Sequence, residues 1–147
     1  MRVYLDACCL NRLTDDQGQL RVRNEAEAVE VVLRAVREGK ATWASSTVLE
    51  IEISRNPDAD RRRDVVALLN LANEVLVPGP RLAERAAFLQ TLGFGTFDAL
   101  HLACAEQGQV DVFLTTDDGL MRRAMRCAKA LRTRVRNPVS WCQEAGL

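Results

Sequence analysis

Acidic side chains stand at four boundaries between predicted strands and helices in this chain. They are Asp6 after the first strand, Glu52 on the helix that follows the second strand, Asp98 in the first turn of a later helix, and Asp117 after the fourth strand. Parallel strands bring their carboxyl ends to one edge of a sheet, so we expect the four carboxylates to converge at that edge.

Converging carboxylates need a cation between them. Two carboxylates about 4 Å apart repel each other by about 4 kcal/mol at an effective dielectric constant of about 20. Mg²⁺ or Mn²⁺ removes this repulsion, because hard cations prefer carboxylate and water oxygens as ligands. A cation held in this way polarises a phosphate, activates a water and stabilises the leaving oxygen of an in-line displacement. The acidic residues therefore predict metal-dependent chemistry on a phosphoester.

Two of the four positions have a neighbouring alternative. Glu50 and Glu52 are about 200° apart around a helix, so only one of them can face the crevice. Asp117 and Asp118 are adjacent, and Asp118 fits the role of N-cap for the next helix better. Asp117 is therefore the candidate for the metal site, although it could instead be a turn residue or the N-cap itself.

The element that carries Asp98 has the clearest pattern in the sequence. Residues 95–119 are typical of a helix, a tight turn and a buried strand, with Gly108 as the helix stop. Apolar residues at helical spacing indicate that this helix is well packed. The run 112–114 is short and wholly apolar, as expected for a strand buried on both faces.

Strands and helices alternate along the rest of the chain. Strands are predicted at 2–6, 41–45, 75–77, 112–114 and 134–136. Helices are predicted at 20–38, from the N-cap Ser46 to about Asn56, from Asp58 or Asp60 to about Asn73, at 81–92, at about 119–130 and from Pro138 onwards, and 7–13 is a loop or short helix. This alternation predicts a parallel sheet covered by helices on both faces.

Length and composition suit one ordinary α/β domain spanning residues 1–147. No apolar run approaches the roughly 18 residues of a membrane span, and the N-terminus lacks the pattern of a signal peptide. We therefore expect a cytoplasmic protein with no membrane partner. The five cysteines are odd in number and form no Cys-x-x-Cys pair, which argues against a disulfide framework or a structural zinc site.

The charge of the chain is balanced overall but unevenly distributed. The formal net charge is zero, yet residues 120–143 contain seven basic residues and no acidic one. Such a segment attracts a polyanion locally, or it is simply a solvated face. Together with Arg12, it is the candidate to hold a nucleic-acid backbone.

The chain resembles the PIN-domain ribonucleases, in particular the VapC-like toxins of bacterial toxin–antitoxin pairs. The resemblance covers nearly the whole length and rests on four motifs in order. They are Val-Tyr-Leu-Asp at 3–6, Ser46 followed six residues later by Glu52-Ile53, Phe-Asp-Ala-Leu-His-Leu-Ala at 97–103, and Phe-Leu-Thr-Thr-Asp at 113–117. The spacing from Ser46 favours Glu52 over Glu50.

The resemblance implies a fold, an activity and partners. The implied fold is a PIN-like three-layer α/β/α sandwich with a central parallel sheet of four to five strands. The implied activity is that of a Mg²⁺- or Mn²⁺-dependent endoribonuclease acting on an RNA substrate, often as a homodimer and, for toxins, with a cognate antitoxin. The family's catalytic and metal-binding acids carry over as Asp6, Glu52, Asp98 and Asp117.

One position departs from the family pattern. Many members place Asn two residues after the first Asp, where this chain has Cys8, and Asn11 or Thr116 is the candidate to replace that polar contact. The departure keeps an alternative open, a PIN-fold protein that binds or regulates without cutting. His101, one turn beyond Asp98, is either a general base or, as we expect, a hydrogen-bonded histidine in the interior.

Overall fold

The computed structural model describes residues 1–147 as five strands and eight α-helices. The strands are β1 (Arg2–Leu5), β2 (Thr42–Ser46), β3 (Glu74–Leu76), β4 (Val112–Leu114) and β5 (Arg134–Arg136). The helices are α1 (Ala7–Arg12), α2 (Leu20–Arg37), α3 (Thr47–Ser54), α4 (Ala59–Leu69), α5 (Leu82–Thr91), α6 (Thr96–Gln107), α7 (Asp118–Arg126) and α8 (Pro138–Ala145).

All five strands run parallel in one sheet, in the order β3-β2-β1-β4-β5. The central strand β1 pairs Tyr4 with Phe113 and Leu5 with Leu114. Because every strand runs the same way, the residues that follow β1, β2 and β4 all emerge at one edge. The predicted parallel α/β architecture with five strands is confirmed.

The sheet separates two apolar cores, as expected for a sheet that is covered on both faces. Successive side chains of β1 alternate between them: Val3 and Leu5 pack with α1, α2, α8 and part of α4, whereas Tyr4 packs with α5, α6 and α7. Helices therefore cover both faces, and the fold has three layers. None of the helices is both long enough and apolar enough to span a membrane.

The second strand passes directly into α3, and a close contact fixes the end of α6. Ser46 ends β2 and caps α3, because its hydroxyl accepts a hydrogen bond of 3.0 Å from the Leu49 N–H. Gly108 ends α6 as predicted, and a Cβ atom there would lie 2.6 Å from Leu76 Cδ1. Close packing of α6 on β3 therefore favours glycine at this position, since any side chain would displace Leu76.

Two predicted helix ends need correction. The helix predicted to reach Asn73 ends at Leu69, because Asn73 pairs with Trp43 of β2 through both its backbone N–H and its side chain. The helix predicted to reach residue 130 ends at Arg126 and is followed by a 3-10 turn. Residues 7–12 form a helix, as one of the two alternatives stated.

The N-cap of α7 is Asp117 and not Asp118. Asp117 has an extended backbone, and its carboxylate accepts a hydrogen bond of 3.1 Å from the Leu120 N–H. Asp118 lies inside the first turn, where its carboxylate pairs with Arg21 at 2.7 Å. Sequence position alone cannot separate two adjacent aspartates whose partners come from elsewhere in the chain.

Candidate metal centre

A cleft of about 260 Å³ opens at the carboxyl edge of the sheet. All four acids of the predicted metal site line it, together with Cys8, Asn11 and Asn56. The four acids are Asp6, Glu52, Asp98 and Asp117, and they come from four different elements or element boundaries. A larger groove of about 930 Å³ lies beside β5; it is lined by the whole of β5, by the residues that precede β4 and by the second half of α7, and it lacks this acidic cluster.

Asp6 lies deepest in the cleft, with 5% of its surface exposed. It caps α1, because one carboxylate oxygen accepts a hydrogen bond of 2.8 Å from the Ala7 N–H. The other oxygen accepts one of 2.9 Å from the Thr115 hydroxyl. Burial raises the pKa of Asp6 above its ordinary value, and the hydrogen bond from Thr115 opposes that shift. Asp6 is thus held in one orientation by two neighbouring elements.

Glu52 reaches the cleft from the second turn of α3. Its Oε1 lies 3.2 Å from Nε2 of His101, which is fully buried on α6. Glu50 is exposed and does not line the cleft. The helix therefore presents one of the two glutamates to the cleft and the other to solvent, as their separation around the helix requires.

Asp98 and Asp117 complete the acidic cluster. Asp98 is half-buried in the first turn of α6, and its pKa rises from an ordinary value of 3.8 to about 6. Burial is the largest cause, followed by the negative charges of Asp6 and Asp117. Asp117 is exposed and uses one oxygen to cap α7. The raised pKa of Asp98 therefore reflects burial first and the neighbouring carboxylates second.

The donor set fits a hard divalent cation. None of the four carboxylates is paired with a lysine or an arginine. A carboxylate oxygen of Asp6, one of Glu52 and a ring nitrogen of His101 lie within 4.8 Å of one another. Uncompensated carboxylates in a partly buried cleft are the ligands that Mg²⁺ and Mn²⁺ prefer.

Cys8 makes polar contacts of its own where many relatives carry Asn. Its sulfur lies 3.4 Å from Asp6 Oδ2 and 3.3 Å from the Thr115 hydroxyl, and it accepts from the Thr116 N–H at 3.3 Å. Of the two side chains considered as replacements for that asparagine, Asn11 lines the cleft and Thr116 does not. The position is therefore filled by a weaker hydrogen-bonding group that still faces the first aspartate.

The basic residues are placed differently from the sequence expectation. Arg12 is paired with Asp15 and with the buried Glu25, and Arg134 and Arg136 are paired with Glu144. The polypeptide enters β5 at the sheet edge opposite the cleft, so Arg132 and Arg134 lie towards that edge. The segment 120–143 is therefore only partly available to a strand bound in the cleft.

An arginine that the sequence analysis did not select lies at the cleft margin. Arg55 is exposed, has no acidic partner, and directly precedes Asn56, which lines the cleft. Its guanidinium lies 5.2 Å from the ring centre of Phe97, the neighbour of Asp98. No spacing in the sequence signals this contact, because it joins the end of α3 to the start of α6.

The fold and the cleft define an α/β domain with an acidic centre at the carboxyl edge of a parallel sheet. A family model described as PIN domain matches residues 3–125. This chain therefore belongs to the PIN domain family. PIN domains are in general nucleases, and PIN nucleases use divalent metals.

Solved structures with a similar fold come from three bacteria. VapBC2 from Rickettsia felis, bound to a DNA fragment from its promoter, has a TM-score of 0.59 at 11% identity and covers 93% of this chain and 98% of that chain. FitAcB from Neisseria gonorrhoeae has a TM-score of 0.58 at 16% identity and covers 92% of this chain and 97% of that chain. VapBC-1 from nontypeable Haemophilus influenzae has a TM-score of 0.59 at 14% identity and covers 94% of this chain and 98% of that chain. At these identities the likeness is one of fold. A sequence comparison with curated proteins gives no match.

Proposed function

We propose that this protein is a Mg²⁺- or Mn²⁺-dependent endoribonuclease that serves as the toxin of a toxin–antitoxin pair. The observation that carries the proposal is the convergence of four carboxylates without a basic partner on one cleft of a PIN domain. Three such carboxylates can ligate a hard cation, and a fourth can act through water.

The residues divide their work according to their surroundings. Asp6 and Glu52, each fixed by a hydrogen bond, would hold the metal together with Asp98 and Asp117. A bound Mg²⁺ or Mn²⁺ would supply charge to polarise the phosphodiester and to make water a nucleophile at neutral pH. Thr115 orients Asp6, while Asp117 aligns the start of α7 with the cleft.

A single-stranded or looped RNA is the substrate that suits this cleft. The cleft is open to solvent, and an unpaired strand can splay its backbone and bases into it. Arg55 beside Phe97 offers a cation and a planar surface at the margin, where a phosphate or a base of that strand can rest. We therefore propose Arg55 as a strand-holding residue.

An antitoxin and a second copy of the chain are the proposed protein partners. Support for the antitoxin comes from the similar folds, which are those of VapBC and FitAB complexes. The homodimer is proposed from the family resemblance and is tested by sedimentation equilibrium, where a monomer alone would remove it. Because RNA is the proposed substrate, we propose that the protein acts in the cytoplasm.

The test is cleavage of a panel of labelled tRNA, ribosomal RNA and unstructured RNA in Mn²⁺, in Mg²⁺ and in EDTA. The Asp6→Asn protein is assayed in parallel as the matched control. We expect cleavage with metal, none in EDTA and none by the variant. Cleavage that persists in EDTA or in Asp6→Asn would contradict the proposed site.

A non-catalytic PIN-fold binding protein is the second candidate. The contact of the Cys8 sulfur with Asp6 favours it, because a thiol replaces the amide of many relatives at that point. Absence of both Mn²⁺ binding and cleavage would support this alternative.

A further inference from the structure

A continuous network of hydrogen-bonded, mostly buried polar groups connects the start of α3, through β1 and α6, to Glu52. The Tyr4 hydroxyl lies 2.6 Å from Ser46 Oγ and 2.6 Å from His101 Nδ1. Nε2 of the same imidazole lies 3.2 Å from Glu52 Oε1. Tyr4, Ser46 and His101 have no exposed surface. The network therefore starts at Ser46, the N-cap of α3, and returns through the interior to Glu52 on the same helix.

When Glu52 is a carboxylate, each hydrogen bond of this network has one possible donor and one possible acceptor. A metal-binding Glu52 is a carboxylate, which only accepts, so Nε2 of His101 must carry the proton. Nδ1 is then an acceptor and takes the Tyr4 proton. The Tyr4 oxygen in turn accepts from Ser46, whose oxygen already accepts from the Leu49 N–H. Each polar group thus has a hydrogen-bond partner, which a buried polar network requires.

We propose that His101 is a positioning residue that orients the Glu52 carboxylate for the metal, with Tyr4 and Ser46 holding the opposite edge of its ring. The inference rests on the proposed function of the cleft. A carboxylate side chain on a helix has several rotamers, and a buried N–H donor selects the one that faces the cleft. His101 belongs to the same helix as Asp98, so one helix would supply an acid and fix another.

The competing role for His101 is that of a direct metal ligand. Its ring nitrogen and the carboxylate oxygens of Asp6 and Glu52 lie within 4.8 Å of one another, which is close enough for a shared ion. A ligating Nε2 would have no proton, and Nδ1 would then donate to Tyr4. The two roles therefore differ in which ring nitrogen is protonated.

The tautomer can be measured without any activity, because His101 is the only histidine of the chain. A long-range ¹H–¹⁵N correlation spectrum of uniformly labelled protein then contains one imidazole. We expect the proton on Nε2 both before and after saturation with Mg²⁺. A proton on Nδ1, or a change of tautomer when Mg²⁺ is added, would overturn the positioning role.

Two isosteric variants separate the two ends of the imidazole. The amide of His101→Gln reaches towards the place of Nε2 and can donate to Glu52, whereas the amide of His101→Asn matches Nδ1 and keeps only Tyr4 in reach. We expect His101→Asn to weaken Mn²⁺ binding, measured by calorimetry, by about 10- to 100-fold. His101→Gln should recover about tenfold of that loss.

Thermal unfolding of both variants completes the test. If Mn²⁺ affinity follows the melting temperature and not the identity of the amide, His101 only fills the core and the inference fails. Tyr4→Phe, which keeps the aromatic ring but removes the partner of Nδ1, should leave the proton on Nε2, because the Glu52 carboxylate still requires a donor. Wild-type protein that neither binds Mn²⁺ nor cleaves RNA would instead remove the proposed function, whatever the tautomer.

Discussion

Asp98 carries the clearest electrostatic signature at the scale of single residues. Its pKa is raised to about 6, by burial first and then by Asp6 and Asp117. Between about pH 4 and pH 6 the folded protein therefore holds a proton that the unfolded chain has lost. Stability then falls as the pH rises through this window, since the folded state binds more protons than the unfolded state.

Replacing Asp98 by Asn removes this cost. In metal-free buffer at pH 7 we expect Asp98→Asn to raise the free energy of unfolding by about 1 to 2 kcal/mol, since one pKa unit corresponds to about 1.4 kcal/mol and solvent screens part of the cost at this half-buried site. The same variant should have no nuclease activity, because the amide carries no charge for the metal. Urea unfolding at pH 4, 5, 6 and 7 gives the comparison. A destabilised variant, or one with full activity, would contradict this view of the site.

Glu52 and Glu50 form a matched pair on one helix. Glu52→Gln should abolish or strongly reduce cleavage and weaken Mn²⁺ binding by about 10-fold or more, since it removes one charged ligand. Glu50→Gln, on the exposed face, should leave both unchanged. Calorimetry and single-turnover cleavage measure the two effects. Equal losses in both variants would mean that the cleft does not distinguish the two faces of α3.

The sequence could predict which acids meet but not what holds them. Strand ends and helix starts locate Asp6, Glu52, Asp98 and Asp117, since parallel strands share one carboxyl edge. The hydrogen bonds of Tyr4 join residues 42 and 97 positions apart in the chain. Such long-range partners depend on how elements pack, which local spacing does not encode.

At the scale of elements, the site depends on helices that are joined by buried polar contacts. Glu25 on α2 has a side chain that is 3% exposed; it accepts hydrogen bonds from Arg12 at 3.0 Å and from Asn137 at 2.6 Å, and it forms an ion pair with Arg21 at 3.3 Å. It thereby connects α2 with α1, which follows Asp6, and with the N-cap of α8.

Glu25→Ala should lower the free energy of unfolding by about 2 to 4 kcal/mol. The loss arises because Arg12 and Asn137 stay partly buried without this acceptor, although Arg12 keeps Asp15. Urea unfolding followed by the fluorescence of the buried Trp43 and Trp141 measures the change. Asp118→Ala, which breaks only the exposed pair with Arg21, is the control and should have a much smaller effect. Equal effects would show that burial does not matter here.

Most element positions follow from periodicity and caps, and the exceptions have identifiable causes. Ser46, Gly108 and Pro138 mark helix ends by their own chemistry, so these boundaries are predictable. The early end of α4 depends on the pairing of Asn73 with Trp43, and the α7 cap depends on Arg21 drawing Asp118 away. Those choices are made by tertiary partners.

At the scale of the whole molecule, charge is divided between the two edges of the sheet. The acidic cleft lies at the carboxyl edge, whereas Arg132 and Arg134 lie towards the amino edge beside the larger groove. The number of basic residues in the segment 120–143 therefore overstates the positive charge that is available to an RNA strand in the cleft. Arg55, isolated in the sequence, is nearer to it.

Arg55→Ala should raise the KM for RNA several-fold, with a smaller effect on kcat, because it removes strand binding and not chemistry. The slope of log affinity against log salt should fall by about 0.7, the value for one phosphate contact on a single strand. Arg132→Ala is the matched control at the opposite edge and should leave both quantities unchanged. A larger effect of Arg132→Ala would mean that the strand crosses the amino edge instead.

The central claim is that four carboxylates from separate elements form one divalent metal site. Calorimetric titration of Mn²⁺ into metal-free wild-type protein and into Asp6→Asn tests it most directly. We expect saturable binding by the wild type and affinity at least about tenfold weaker in the variant, with an unchanged fold by circular dichroism. No binding by the wild type, or equal binding by both proteins, would contradict the claim.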